Sequence, residues 1–255
     1  MINYLESQFS LAGRRALVTG ASKGIGAGIA IAFASAGADL ILLGRSRESL
    51  ADTKAQVEAL GRRADEMICE LSDPKSVAAL LPKLINLPAD ILVNNAGTIV
   101  RTDAIDLSLE DWNIVLQTNL TSLFQISQVV AKGMLVKGAG RIINIASLLS
   151  FQGGIRVTGY AASKHAVAGL TKALANEWGA LGITVNAIAP GYIETNNTAP
   201  LRNDMKRNQS ILERIPLGRW GKTDDIAGVA VFLASNAARY INGEILTVDG
   251  GWMAR

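Results

Sequence analysis

Arg15-Ala16-Leu17-Val18-Thr19-Gly20-Ala21-Ser22-Lys23-Gly24-Ile25-Gly26 reads as a strand that runs into a glycine-rich turn and opens a helix. The first five residues have strand length and are largely apolar. Three glycines follow at the spacing Gly-x3-Gly-x-Gly. Such a turn lets a pyrophosphate approach the backbone, where free N–H groups and the positive end of the next helix hold its charge. The residues that would do so are Gly20, Ser22, Lys23, Gly24, Ile25 and Gly26. Glycines also punctuate strands and helices for structural reasons alone. The turn takes its meaning from its place between the first strand and the first helix, where dinucleotides bind in this architecture.

Outward from that stretch, apolar runs of strand length alternate with segments of helical length. The strand candidates are Arg15–Thr19, Asp39–Leu43, Ala64–Glu70, Ile91–Val93, Arg141–Ile145, Thr184–Ile188 and Ile245–Val248. Several are continuous in Val, Ile and Leu, which suits parallel strands covered on both faces. The helical candidates include Gly24–Ala36, Ser46–Leu60, Pro74–Asn86, Ser108–Lys137, Thr158–Leu181 and Thr223–Ala234. The series predicts an α/β chain: a single-domain, doubly wound Rossmann fold over residues 1–255, with a seven-stranded parallel sheet flanked by helices. One irregular stretch, about 191–216, is expected to be an excursion over the substrate.

Composition narrows the function classes. The chain has 255 residues, of which 49% are hydrophobic and 18% charged, a balance that builds a packed core. The net charge is only +3 and no five like charges stand in a row, so no nucleic-acid surface is expected. One cysteine and one histidine leave neither an intrachain disulfide nor a zinc site, and no metal is expected. Cys69 reads as a small buried residue in a strand, and His165 as a packing residue. Met1–Leu11 lacks the basic start and apolar run of a leader. Gly24–Leu43 is apolar but is broken by Asp39, and reads as a buried helix and strand. A cytoplasmic protein with no membrane partner is the expectation.

The second strand ends in Leu43-Gly44-Arg45-Ser46-Arg47. An acidic residue there would take the 2′-hydroxyl of an adenosine ribose. Arg45 stands instead, and with Lys23 it offers charge-assisted hydrogen bonds to a 2′-phosphate. This favours NADP(H), with NAD(H) the other candidate.

Tyr160-Ala161-Ala162-Ser163-Lys164 lies near the start of a long helical candidate, where residues four apart share a face. A phenol ordinarily titrates near 10, so acid/base work near neutrality needs a drop of roughly 2–3 units. A lysine ammonium one turn along the helix is expected to help supply it. Ser147 follows the strand Arg141–Ile145, at the edge of the sheet that faces the ligand crevice, and its hydroxyl could orient a substrate oxygen.

Taken together, Thr19 to Gly26, Asn94-Asn95-Ala96-Gly97, Asn119, Ser147, Tyr160, Lys164 and Pro190-Gly191 make the chain resemble the short-chain dehydrogenase/reductase family over nearly its whole length. The resemblance implies Tyr160 as the general acid/base. It implies Lys164 as the residue that lowers the tyrosine pKa and holds the nicotinamide ribose. Ser147 would polarise the reacting oxygen, and Asn119 would hold a water of a proton relay. Asp73 would meet the adenine ring and Asn95 would brace the central strand. Pro190, Gly191, Ile193 and Thr195 would line the nicotinamide and pyrophosphate. Assembly as a homotetramer is also implied, with Ser108–Lys137 and Thr158–Leu181 as candidate faces between subunits.

Ser150 to Val157, Pro190 to Thr198, Arg214 to Gly221 and Val248 to Arg255 resemble the gluconate and deoxygluconate dehydrogenase branch of that family. A sugar acid needs a cation for its carboxylate and neutral groups for its hydroxyls. Arg101 and Arg156 are the candidate cations, and Gln152, Asn196 and Asn197 the hydroxyl partners, beside Ser147 and Tyr160. Trp252 would cover the pocket or pack in a subunit contact. Two other readings stay open: a 3-oxoacyl-thioester reductase with the same machinery, and a catalytically silent nucleotide sensor.

Overall fold

The structure, a computed structural model, describes residues 3–85 and 87–255. A short helix α1 (Tyr4–Phe9), not foreseen above, precedes β1 (Arg15–Thr19). There follow α2 (Gly24–Ser35), β2 (Asp39–Gly44), α3 (Arg47–Ala59), β3 (Ala64–Ile68), α4 (Pro74–Ile85) and β4 (Ile91–Asn94). Next come α5 (Leu109–Leu116), a π-helical turn at Gln117–Thr121, α6 (Ser122–Lys137), β5 (Gly140–Ile145), α7 (Thr158–Trp178) and β6 (Ile183–Pro190). After β6 stand α8 (Ala199–Asn203), α9 (Met205–Arg214), α10 (Thr223–Ala234) and β7 (Ile245–Val248). The expected end of the fourth helix at Asn86 lies outside the described residues.

All seven strands are parallel, in the order β3-β2-β1-β4-β5-β6-β7. The chain winds outward from β1 to β3, then returns to the other side of β1 at β4, where Val18 pairs with Val93. That reversal opens a crevice beyond the carboxyl ends of β1 and β4. The inner strands β2, β1, β4, β5 and β6 are buried on both faces, as their apolar runs require, while the edge strands β3 and β7 are only partly covered. One face carries α2 and α10, with Ile29, Phe33, Ile226 and Leu233 in its core. The other carries α4, α6 and α7, through Val77, Ile126, Met134 and Leu174. Each such side chain, moved from water into the core, contributes about 1.5–3 kcal/mol.

Four local expectations are corrected. The segment 108–137 is not one uniform helix: the π turn at 117–121 interrupts it. The segment 158–181 leaves α-helical geometry after Trp178 and ends in a 3-10 turn. The stretch 191–216 carries α8 and α9 and sits on its own small core of Leu148, Ile211, Ile215, Trp220 and Trp252. Cys69 is buried, but one residue past β3, with its Sγ 3.3 Å from Ser76 Oγ.

Candidate active site

The glycine-rich turn is held by its neighbours. Gly20 has φ +65°, a conformation open to glycine at little cost. Asn95 donates from Nδ2 to the carbonyls of Thr19 (2.9 Å) and Gly20 (3.1 Å), while Thr19 Oγ1 accepts from the N–H groups of Asn95 and Ala96. A Cβ on Gly26 would fall on Asn95 Nδ2 and the Gly20 carbonyl oxygen. The first turn of α2 therefore sits close against the residues just past β1 and β4. Thr195 comes over from the far side of the sheet: a Cβ on Gly24 would lie 3.4 Å from its Cγ2. The cradle thus fits a dinucleotide pyrophosphate.

Lys23 and Arg45 are both exposed, and neither makes an ion pair or hydrogen bond among the described residues. Two cations with unspent donors beside the cradle and at the end of β2 fit a 2′-phosphate better than a 2′-hydroxyl. Pro190 closes β6, Gly191 donates to the Val248 carbonyl at 2.9 Å, and Ile193 is buried and bridges to Gly221. Asp73 is exposed. It stands five residues past β3, where its carboxylate accepts from the Lys75 N–H at 2.9 Å and caps α4. The acidic side chain nearer the strand end is Glu70, itself hydrogen-bonded to Ser72.

The carboxyl ends of β4, β5 and β6 gather the remaining polar groups. Asn119, fully buried in the π turn, has its side chain spent: Oδ1 accepts from the Thr98 N–H (2.8 Å), and Nδ2 donates to the Thr98 carbonyl (3.0 Å) and Ser163 Oγ (3.1 Å). Ser147 has extended backbone, and its Oγ accepts from the Leu149 N–H at 3.1 Å. That leaves the hydroxyl proton free to point at Tyr160. Burial raises the Tyr160 pKa; the Ser147 hydrogen bond and the positive charge of Arg101 pull it back, and burial wins.

Lys164 is buried. Its Nζ donates to the Ile145 carbonyl at 2.5 Å and lies 5.6 Å from the Tyr160 ring centroid. Burial lowers its own pKa to about 8. The Ser147 hydroxyl and the Arg101 charge are two influences that draw the tyrosine down against burial. His165 is corrected as well: it is exposed, with Nδ1 3.0 Å from the Ala161 carbonyl.

Among the substrate candidates, Arg101 and Asn197 meet: a guanidinium N–H donates to the Asn197 carbonyl at 3.1 Å. Asn196 and Asn197 form an exposed 3-10 turn at the start of the excursion. Arg156 is not brought in with a free charge. It adopts φ +63° and pairs with Asp103, Nε to Oδ1 3.2 Å. Gln152 faces the C-terminal tail, where Oε1 accepts from Trp252 Nε1 at 3.3 Å. Trp252 packs within the chain, beneath Arg214 and beside Tyr192 at 4.6 Å between rings. The sequence reading passed over Thr98, Ser150 and Ser163. Nothing in their spacing marks them, because each acts through bonds to distant residues. Among the described residues there is no metal-holding cluster, and no helix is long and apolar enough to cross a membrane.

A glycine cradle at the switch point of a parallel sheet, with a serine–tyrosine pair and a buried lysine on the same edge, defines a nicotinamide-dependent oxidoreductase. The chain belongs to the short-chain dehydrogenase/reductase family. The family described as Enoyl-(Acyl carrier protein) reductase matches residues 20–253. The 2-dehydro-3-deoxy-D-gluconate 5-dehydrogenase of Bacillus subtilis (strain 168) is 56% identical over 255 residues, 100% of both chains. The 3-oxoacyl-[acyl-carrier-protein] reductase FabG of Vibrio harveyi is 42% identical, over 95% of this chain and 98% of its own. Among solved structures, an Agrobacterium tumefaciens protein named as a 2-deoxy-D-gluconate 3-dehydrogenase, with NADP bound, superposes with a TM-score of 0.92. It is 54% identical, over 97% of this chain and 99% of its own.

Proposed function

We propose that this chain exchanges hydride between NADP(H) and the secondary alcohol or ketone of a sugar acid of the gluconate or deoxygluconate type. One observation carries the reading: Lys164, buried one turn along α7 from Tyr160, reaches with Nζ to the carbonyl of Ile145, two residues before Ser147, so serine, tyrosine and lysine stand together at the edge of the sheet, with the positive charge of Arg101 near enough to bear on the phenol. A hydroxy acid presents the two groups that this arrangement suits, an oxygen to be polarised and a carboxylate to be paired. The relative at 56% identity, named for a deoxygluconate-type substrate, and the NADP-bound structure support it.

The roles follow from atoms. Gly20, Ser22, Gly24, Ile25 and Gly26 would hold the pyrophosphate, and Lys23 and Arg45 the 2′-phosphate. Asn95 braces their turn, and Pro190, Gly191, Ile193 and Thr195 would close over the nicotinamide half. When bound, the cofactor supplies or accepts the hydride. In oxidation Tyr160 Oη takes the substrate hydroxyl proton, and in reduction it returns one. Ser147 Oγ donates to the reacting oxygen. Lys164 Nζ offers its positive charge on the Tyr160 side. Asn119 would hold the relay water through its backbone, its side chain being spent. Arg101 would take the substrate carboxylate, with Asn196 and Asn197 beside it. The excursion 191–216 would cover the substrate, and the protein would work as a cytoplasmic homotetramer.

The second reading, a 3-oxoacyl-thioester reductase, is favoured by the acyl-carrier-protein family description and by the 42% relative. It uses the same acid/base groups, so the substrate decides. Purified protein is assayed with aldonates, deoxyaldonates, simple ketones and acetoacetyl thioesters, each with NADP(H) and NAD(H). Turnover is expected on the sugar acids, with NADP(H) preferred. Tyr160→Phe is expected to lose turnover at least 10³-fold while NADPH still binds. A thioester preference would select the second reading. Turnover unchanged in Tyr160→Phe would end both, and no turnover on any substrate would revive a nucleotide sensor.

A further inference from the structure

We infer that Ser150 is a positioning residue for the Ser147–Tyr160 pair, clamping the turn that carries Ser147 onto the helix that carries Tyr160 and Lys164. The inference rests on the roles proposed above for those three residues.

The segment Ile145 to Ser150 leaves β5, passes Ser147 and closes in a 3-10 turn at Leu148–Ser150. Within it, the Ser150 N–H donates to the Ser147 carbonyl at 2.9 Å, so the two serines are the two ends of one rigid turn. Ser150 is buried, and its Oγ donates to the carbonyl of Lys164 at 2.7 Å. Lys164 answers from its other end, where Nζ reaches the Ile145 carbonyl. The turn is therefore fastened to α7 at both of its ends, and both fastenings fall on one residue. Ser147 sits between them, its own hydroxyl oriented by the Leu149 N–H.

The helix does not need the bond from Ser150. A carbonyl inside an α-helix is already served by the N–H four residues on. What the bond adds is a fixed separation between a turn and a helix that meet nowhere in sequence. Hydrogen bonds from Ser147 and Tyr160 to one shared oxygen are sensitive to that separation, because such bonds weaken steeply with length and angle. A misplacement of about 1 Å in a reacting group can cost around 10²-fold in rate. Without the clamp, the turn keeps its own backbone bonds but floats on the helix. Ser147 then polarises the substrate oxygen less well and draws down the tyrosine less.

The test compares Ser150→Ala and Ser150→Thr with the parent protein, using Tyr160→Phe as a control. Alanine removes the clamp and leaves no helix carbonyl unserved; threonine keeps the hydroxyl. Four quantities are read: kcat and KM for the sugar acid, Kd for NADPH by fluorescence, Tm, and the pH profile of kcat/KM for oxidation. For Ser150→Ala, kcat is expected to fall about tenfold, with KM and Kd within about twofold. The acid limb of the profile moves up by roughly half a unit, because the Ser147 hydroxyl that favours the phenolate is held less well beside it. Three groups face that phenol: Ser147 from the turn, Arg101 from the loop after β4 and Lys164 from its own helix. Arg101 and Lys164 are common to all variants, so a difference between variants reports on Ser147. Ser150→Thr restores both kcat and the profile.

Wild-type kcat and an unmoved profile in Ser150→Ala overturn the inference. So does a loss of kcat that keeps the profile midpoint and tracks a loss of NADPH binding or Tm, which is the mark of a purely structural serine. If Ser150→Thr does not fold, the alanine profile alone decides. The control separates the two levels: an inert Tyr160→Phe beside a normal Ser150→Ala ends the clamp only, whereas an active Tyr160→Phe ends the acid/base assignment beneath it.

Discussion

Lys164 keeps a positive charge where almost no water reaches it, and the fold stabilises that charge with one carbonyl. Its pKa near 8, against an ordinary 10.5, means that the folded chain holds this proton less tightly than the unfolded chain does. Between those two values the unfolded state binds more protons, so stability rises as the pH rises through the window. Below about 8 the full penalty of burying the ammonium is present. Lys164→Met should therefore raise Tm by a few degrees at pH 7 and abolish turnover, and its advantage should shrink between pH 8 and 10.5. Scanning calorimetry at a series of pH values checks this; a variant less stable than the parent at pH 7 would refute it. The same residue marks the limit of sequence reading. Its four-residue spacing from Tyr160 placed it on the right face of α7. Spacing could not say that Nζ turns to the Ile145 carbonyl.

The turn between β1 and α2 works because two backbones touch there. Gly26→Ala would drive a methyl into the Asn95 amide and the Gly20 carbonyl, both fixed by the sheet. Overpacking of this kind costs about 1–3 kcal/mol. The expected outcome is a lower Tm together with NADPH affinity weakened at least tenfold. A variant binding NADPH as tightly as the parent would show that the close approach has no bearing on the cofactor. At this scale the strands were legible, because burial on both faces leaves unbroken runs such as Leu40 to Leu43. The π turn was not. Gln117–Thr121 has ordinary helical composition, and its geometry is set by the bonds of Asn119 to Thr98 and Ser163, from other elements. Helices α8 and α9 escaped for a related reason. They are short, and they rest on Trp220 and Trp252, residues that lie outside the excursion. Arg156 shows the same blind spot among the site residues: its partner Asp103 lies in another loop.

The whole molecule presents more apolar surface than its sheet requires. Leu109 on α5 and Val136 on α6 are almost fully exposed, at 79% and 91%, and Phe124 between them is partly so. Apolar side chains left in solvent along this helical run suit a subunit contact. Light scattering coupled to gel filtration should give four times the chain mass at micromolar concentration; a mass of one chain would refute the tetramer.

The strand order also bears on how the chain reaches its native state. Every neighbouring pair in the sheet is parallel, so among the described residues no two strands are joined by a tight hairpin, and Val18 finds its two partners 24 and 75 residues on, at Leu42 and Val93. Loop-closure entropy must be overcome before any ladder forms, which places the chain among slow folders. Glycine turn, serine, tyrosine and threonine come from stretches scattered between positions 20 and 195. A chain still emerging from the ribosome therefore carries no fraction of the activity, and appearance of turnover after synthesis would time the closing of the sheet itself.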